Sequence, residues 1–263
     1  MGFLRVAAHA ARLTLASATV ALLAFSAPAP AQSAEQALVF PAQNWSFNGP
    51  FGTFDRAEAQ RGFQVYQEVC AACHAMKQAF YRDLRGIGLD DAQIEAIAAS
   101  VMIPDLDDSG QPSERPGRPS DRFRSPFPNE RAARAAYNGA YPPDMSVMIK
   151  ARQGGADQMY ALLVGYADPP ADMKIGDGMY YNKWFAGHQI AMPPPLVDGG
   201  VTYADGTRAS VEQMARDVTT FLTYIANPEM ETRKRMGVKV VLFLIFLTGL
   251  TYAVKRKVWA DVH

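Results

Sequence analysis

Cys70-Ala71-Ala72-Cys73-His74 places two thiols and an imidazole within five residues. C-x-x-C-H is the attachment signature of c-type haem. The thiols add to the two haem vinyl groups as thioethers, and the adjacent histidine is held against the iron as its proximal ligand. Two other chemistries share part of the pattern. A thioredoxin-like redox pair sits in a βαβ setting that the flanking residues do not offer, and it has no use for the histidine. Structural zinc needs four ligands, yet the chain has no third cysteine, and beyond its N-terminal leader its histidines are His74, His188 and His263. One haem c bound through Cys70 and Cys73 is the expected cofactor.

A low-spin electron carrier needs a second strong-field ligand, whereas a gas binder or peroxidase leaves that position open. Of the eleven methionines apart from Met1, Met192 stands out in Gly187-His188-Gln189-Ile190-Ala191-Met192-Pro193-Pro194-Pro195. Its three prolines stiffen the backbone and remove N–H groups that would need partners near a haem edge. A rigid loop can hold a thioether at the iron. His188, four residues away, cannot share that position and reads as a rim or surface histidine.

These groups must be positioned by helices. Asp55 or Thr53 caps a helix starting near Arg56, with Glu58 spaced for a capping box; Phe63, Tyr66, Val69 and Cys70 make one face that runs into the motif. A second short helix covers Asp91 to Val101, with Ile94, Ile97, Ala98 and Val101 inward. Six prolines between Pro104 and Pro128 mark an irregular surface excursion. Asn129 caps Glu130 to Tyr137, and Ala156 to Tyr166 forms a further helix before Asp168-Pro169-Pro170. Val211, Met214, Val218, Phe221, Leu222 and Ile225 form an amphipathic stripe ending at Asn227-Pro228. Strand signals are few, around Val201-Thr202-Tyr203, so the fold class is mainly α with long loops.

The ends divide the chain into three. Residues 1–31 carry Arg5 and Arg12, the apolar run Leu13 to Phe25 and a small-residue stretch to Ala31, the order of a cleaved signal peptide. Met236 to Val254 is apolar for about 28 Å of helix at roughly 1.5 Å per residue, enough to cross a hydrocarbon core of about 30 Å. Arg233-Lys234-Arg235 and Lys255-Arg256-Lys257 bracket it, so basic residues alone leave its direction undecided. The leader exports residue 32 onward. The expectation is a single-pass protein of the bacterial cytoplasmic membrane, with a haem domain at 32–232 on the periplasmic side, an anchor at 233–263 and a cytoplasmic C-terminus.

Across 263 residues, 26 basic and 26 acidic side chains balance, and 49% hydrophobic residues exclude intrinsic disorder. The balance is an average. The leader contributes +2, residues 233–263 contribute +6, and residues 32–232 carry −8. Nothing in this distribution suggests a nucleic-acid partner. From Gly86 to Glu114 there are seven acidic residues, Asp90, Asp91, Glu95, Asp105, Asp107, Asp108 and Glu114, and no basic one. Such runs usually mark a solvated face; the alternative is a surface that steers a basic acceptor protein.

Several segments together resemble the cytochrome c1 family over nearly the whole exported chain: Arg61-Gly62-Phe63-Gln64-Val65-Tyr66, Asn138-Gly139-Ala140-Tyr141-Pro142-Pro143-Asp144, Gly178-Met179-Tyr180-Tyr181-Asn182, Ile190-Ala191-Met192 and Arg233-Lys234-Arg235-Met236-Gly237. The resemblance implies a class I cytochrome c-like haem domain with long loop insertions and one C-terminal transmembrane helix. It implies His74 and Met192 as iron ligands and Arg152 as partner of a haem propionate. It also places Asn138, Ala140, Pro142, Pro143, Leu162, Leu163, Phe185 and Ile190 along the haem crevice. The role it implies is an electron-transfer subunit of a proton-translocating quinol:cytochrome c oxidoreductase, the bc1 complex. Electrons would arrive from a Rieske iron–sulfur protein and leave to a soluble c-type cytochrome, within a dimeric complex that also holds cytochrome b. No quinol site is evident in this chain itself. Some bacterial relatives carry an extra cysteine pair that is absent here, so stapling of the 140–170 region falls to packing. Other readings are a tethered cytochrome that shuttles electrons alone, against which the 117 residues between His74 and Met192 speak, and a peroxidase or gas sensor with an open iron.

Overall fold

The structure, a computed structural model, describes residues 38–262; the leader read at 1–31 lies outside them. Asp55 caps helix α1 (Arg56–Glu68) by accepting from the Glu58 amide at 3.0 Å. The Glu58 side chain does not complete a capping box. It reaches α6 (Val211–Ala226) instead, where Glu58 meets Arg216 at 3.1 Å and accepts from the Thr220 hydroxyl at 3.1 Å. α1 and α6 form the main helix crossing of the domain. Gly62 permits it, because a Cβ there would collide with the Asp217 carbonyl. Around the crossing, Phe63 and Tyr66 meet Phe221 with ring centroids 5.5 and 5.8 Å apart, and Phe123 stands edge-on to Tyr66 at 5.9 Å.

α6 is buried more completely than its apolar stripe suggests, since Thr219 and Thr220 are as inaccessible as Phe221. Below the crossing, Arg61 of α1 grips Asp217 through two hydrogen bonds of 3.0 Å and reaches Asp205 at 2.9 Å. One helix therefore leads into the Cys70–His74 motif and carries the ionic clamp that locks it to α6.

Beyond the motif come a 3-10 segment (Tyr81–Ile87) and α2 (Asp91–Ala99), which has the reciprocal Asp90–Gln93 capping box. α2 stops two residues earlier than the periodicity suggests, with Ile94 and Ala98 buried and Ile97 and Val101 only partly so. The proline-rich excursion is not irregular throughout. It contains an antiparallel hairpin, β1 (Met102–Leu106) and β2 (Pro112–Pro116). A two-stranded ribbon has only edges, so prolines that cannot donate are tolerated in it. Arg115 pins the hairpin with ion pairs to Asp105 at 2.5 Å and Asp121 at 2.6 Å.

α3 (Glu130–Ala136) is capped by Asn129, as its sequence suggests, and is followed by α4 (Met148–Ala151) and α5 (Gly155–Val164). A two-residue ribbon, β3 (Tyr180–Tyr181) with β4 (Gln189–Ile190), was not legible in the sequence. Val201-Thr202-Tyr203 forms no strand; Val201 and Tyr203 are buried as loop residues packed on the core.

α7 (Met230–Val258) runs unbroken for 29 residues, and none of its most apolar stretch is buried. It is long and apolar enough to cross a membrane. Its first turns are fastened to the domain: Glu231 pairs with Arg56 at 2.8 Å and accepts from the Phe54 amide at 2.9 Å, and Lys234 donates to the carbonyls of Phe47 at 2.6 Å and Gly52 at 3.1 Å. Lys234 is therefore a docking residue rather than a free interfacial cation.

Candidate functional site

The end of α1 tightens into a 3-10 turn at Cys70–Ala72. The Cys73 and His74 amides both donate to the Cys70 carbonyl, at 3.1 and 2.8 Å, which turns both thiols and the imidazole through one tight bend. Cys70 and Cys73 are free and partly accessible. Burial, and secondarily the neighbouring Cys73, pushes the Cys70 thiol up to about 12. It is therefore protonated near neutrality.

His74 Nδ1 lies 2.8 Å from the carbonyl oxygen of Pro143. A carbonyl can only accept, so Nδ1 carries the proton and Nε2 presents its lone pair. Burial lowers the ring's pKa, against the opposing pull of the Pro143 bond and the Asp144 charge, and keeps the imidazole neutral at pH 7. A second-sphere carbonyl of this kind fixes the tautomer and orientation of a ligating histidine. The carbonyl is itself held. Asp144 accepts from the Lys77 amide at 2.8 Å and from the Ser146 amide at 2.9 Å, and the Met145 amide donates to Ala75 at 2.8 Å. Two thiols in one turn beside an oriented neutral imidazole form a donor set that fits a covalently attached haem.

The residues expected along the crevice stand on three supports. Asn138 and Gly139, with φ of 49° and 91°, turn the chain out of α3; Ala140 and Pro142 follow half-buried and Pro143 exposed. Leu162 and Leu163 lie near the end of α5, the first half-buried and the second in the core. Ile190 is buried in β4, paired with Tyr180, whereas Phe185 is exposed in the preceding loop. Arg152 ends α4 with its side chain exposed and makes no ion pair among the described residues. Met192 is half-buried, and its carbonyl accepts from Tyr166 Oη at 3.0 Å. His188 is half-buried with φ of 57°, its ring 5.9 Å from that of Tyr181.

Two neighbours of the site were not singled out in the sequence. Tyr137 Oη donates to Cys73 Sγ at 2.8 Å, and this bond, more than its slight burial, pushes the phenol up to about 12. Its ring stands edge-on to Phe127 at 5.7 Å. Its position next to Asn138 was the available signal. Behind the motif, a cavity of about 370 Å3 is bordered by Tyr66, Ala71, Tyr81, Phe123 and Arg124, but not by Cys70, Cys73, His74 or Met192.

The acidic segment is less acidic in space than along the chain. Arg85 pairs with Asp91, Arg115 with Asp105 at 2.5 Å and Arg124 with Glu114 at 3.0 Å, while Asp90 caps α2 and Asp107 organises the hairpin turn. Among the described residues, Glu95 and Asp108 make no ion pair.

Residues 45–262 match the model of the Cytochrome C1 family. A cytochrome b/c1 of Bradyrhizobium diazoefficiens is 48% identical over 246 residues, covering 85% of this chain and 36% of that protein. The chain thus spans about a third of that relative's length. Cytochrome c1 of Rhodospirillum rubrum is 43% identical over 88% of this chain and 92% of its own length. The mitochondrial cytochrome b-c1 complex catalytic subunit of Candida albicans is 46% identical over 88% of this chain and 81% of its own.

Proposed function

The chain belongs to the cytochrome c1 family, and from that premise we propose that it holds one haem c through Cys70 and Cys73, with His74 Nε2 and the Met192 sulfur as iron ligands. When bound, the haem supplies one-electron chemistry between ferrous and ferric iron. The Pro143 carbonyl orients His74, and the prolines after Met192 limit the excursions of the opposing ligand. Leu162, Leu163, Phe185 and Ile190, with Ala140, Pro142, Pro143 and Asn138, supply a mostly apolar wall that limits water. Poor solvation of the ferric charge and a thioether ligand both raise the potential. Arg152 is the cation for a propionate.

In this reading the protein is the haem subunit of a proton-translocating quinol:cytochrome c oxidoreductase, beside cytochrome b and a Rieske iron–sulfur protein in a dimeric complex. It receives electrons from the Rieske centre and passes them to a soluble c-type cytochrome. α7 crosses the cytoplasmic membrane once, residues 32–232 face the periplasm and the C-terminus faces the cytoplasm, as the leader at 1–31 requires.

The observation that carries the proposal is the His74 ring, turned by Pro143 so that its free nitrogen is Nε2, on the same bend as both thiols. The test is gentle solubilisation followed by a reduced-minus-oxidised spectrum of the purified assembly. Bands of c-type and b-type haem in one species are expected. Recovery of a free monohaem protein would instead indicate an independent tethered shuttle.

A further inference from the structure

A thioether is a neutral, weak ligand, so its residence on iron depends on how little the chain must order to bring it there. The loop carrying Met192 is closed at both ends against one piece of the protein, the carboxyl end of α5. At its near end stands Asn182, a polar side chain with no solvent exposure. Its Nδ2 donates to the Leu162 carbonyl at 2.8 Å, its Oδ1 accepts from the Trp184 amide at 2.9 Å, and its own amide donates to the His188 carbonyl at 3.0 Å. Beside it, the Lys183 amide donates to the Gly165 carbonyl at 2.9 Å. A Cβ on Gly165 would lie 2.7 Å from the Trp184 ring and 2.8 Å from Asn182 Oδ1, so glycine is what lets the clasp close. At the far end, Tyr166 Oη donates to the Met192 carbonyl at 3.0 Å. Between the two, β3 and β4 keep the loop in register through Tyr180–Ile190 and Tyr181–Gln189.

Resting on the assignment of Met192 as iron ligand, we propose that Asn182 and Tyr166 are positioning residues for it: a buried clasp that pre-orders the loop and sets how readily another ligand displaces the methionine sulfur. The clasp ties the 162–166 stretch to the 182–192 loop. It does by buried hydrogen bonds what a covalent staple would do. A single neutral hydrogen bond contributes about 0.5–1.5 kcal/mol net, or roughly 2- to 10-fold in an opening equilibrium. Removing the Asn182 side-chain amide breaks both bonds and leaves the part-buried Trp184 amide unpaired, while the Leu162 carbonyl keeps the Gly165 amide at 3.3 Å.

The experiment titrates the oxidised, assembled complex with imidazole and follows the near-infrared sulfur-to-iron charge-transfer band. Tyr166→Phe, which keeps the ring and removes only the hydroxyl, should tighten apparent imidazole binding roughly 2- to 10-fold. Asn182→Leu should tighten it on the order of 10- to 100-fold. Ile94→Val in α2, a core change remote in the chain, should lower stability and leave imidazole affinity unchanged. A native complex without the charge-transfer band would overturn the Met192 assignment, and this inference with it. A native band with wild-type imidazole affinity in Tyr166→Phe and Asn182→Leu would overturn the inference alone. If Asn182→Leu does not assemble, Tyr166→Phe decides.

Discussion

Replacing Arg61 with methionine should loosen the helix that leads into the haem motif far more than removing its exposed carboxylate partner. Arg61 makes two 3.0 Å bonds to Asp217, whose side chain is fully inaccessible, and one 2.9 Å bond to Asp205, whose side chain is 45% exposed. Burial alone would lower the pKa of Arg61, but the bonds and charges of the two aspartates more than offset this and raise it. The guanidinium stays charged at any pH the protein survives. Arg61→Met keeps the stem and leaves Asp217 as a buried carboxylate with Gln213 Nε2 at 3.0 Å and no cationic partner among the described residues. Breaking a buried pair in this way costs about 3–5 kcal/mol. Asp205→Asn weakens an exposed pair and costs about 0–1 kcal/mol. Amide exchange at Phe63 to Tyr66 in the assembled protein should therefore accelerate about 150- to 5,000-fold in Arg61→Met and about 5-fold or less in Asp205→Asn. The double variant Arg61→Met, Asp217→Leu should recover most of the protection, because an apolar pair of similar volume needs no compensating charge. Equal effects of the two single variants, or a double variant as loose as Arg61→Met, would refute the reasoning.

Two further outcomes follow from the charged groups. Hydrogen bonding from Arg115, against a small cost of burial, holds Asp121 down at about 2. Its contribution is complete above the ordinary carboxylate range, near 4, and is lost as pH falls toward 2. Relative to intrinsic exchange, amide protection at Tyr81 and Arg82, bonded to the Asp121 and Pro119 carbonyls at 3.1 and 2.8 Å, should fall across that window, and Asp121→Asn should remove most of this loss. On the acidic segment, Glu95→Gln with Asp108→Asn should slow reduction of a basic acceptor cytochrome several-fold at low ionic strength and have little effect at high salt. Stopped-flow rates insensitive to both substitution and salt would assign the segment to an ordinary solvated face.

The sequence made the supports of the motif readable where one local rule decided the outcome. Asp55 and Asn129 cap where their side chains suggest, and the α6 stripe ends at Asn227 as its proline demands. Family membership, too, was legible from the order of short segments. Long-range partners decided the rest. Glu58 has capping-box spacing, but Arg216 and Thr220 offer it better-buried bonds than its own helix end. Pro104, Pro112 and Pro116 argue against strands in a wide sheet and not in a hairpin that is all edge. Val201 and Tyr203 alternate because a loop packs on the core, and burial without a neighbouring ladder makes no strand. The seven acidic residues read as a single field until the fold brought Arg85, Arg115 and Arg124 to three of them. Asn182 lies in a segment that resembles the family, but a polar residue's complete burial emerges only with its partners in place.

The measurement that reaches the central claim most directly is a redox titration and carbon monoxide difference spectrum of Met192→Leu in the assembled protein. Loss of the thioether should lower the midpoint potential strongly, abolish the sulfur-to-iron band and let the reduced iron bind carbon monoxide. A variant with the native potential, the native spectrum and no reaction with carbon monoxide would contradict the assignment of Met192 to the iron.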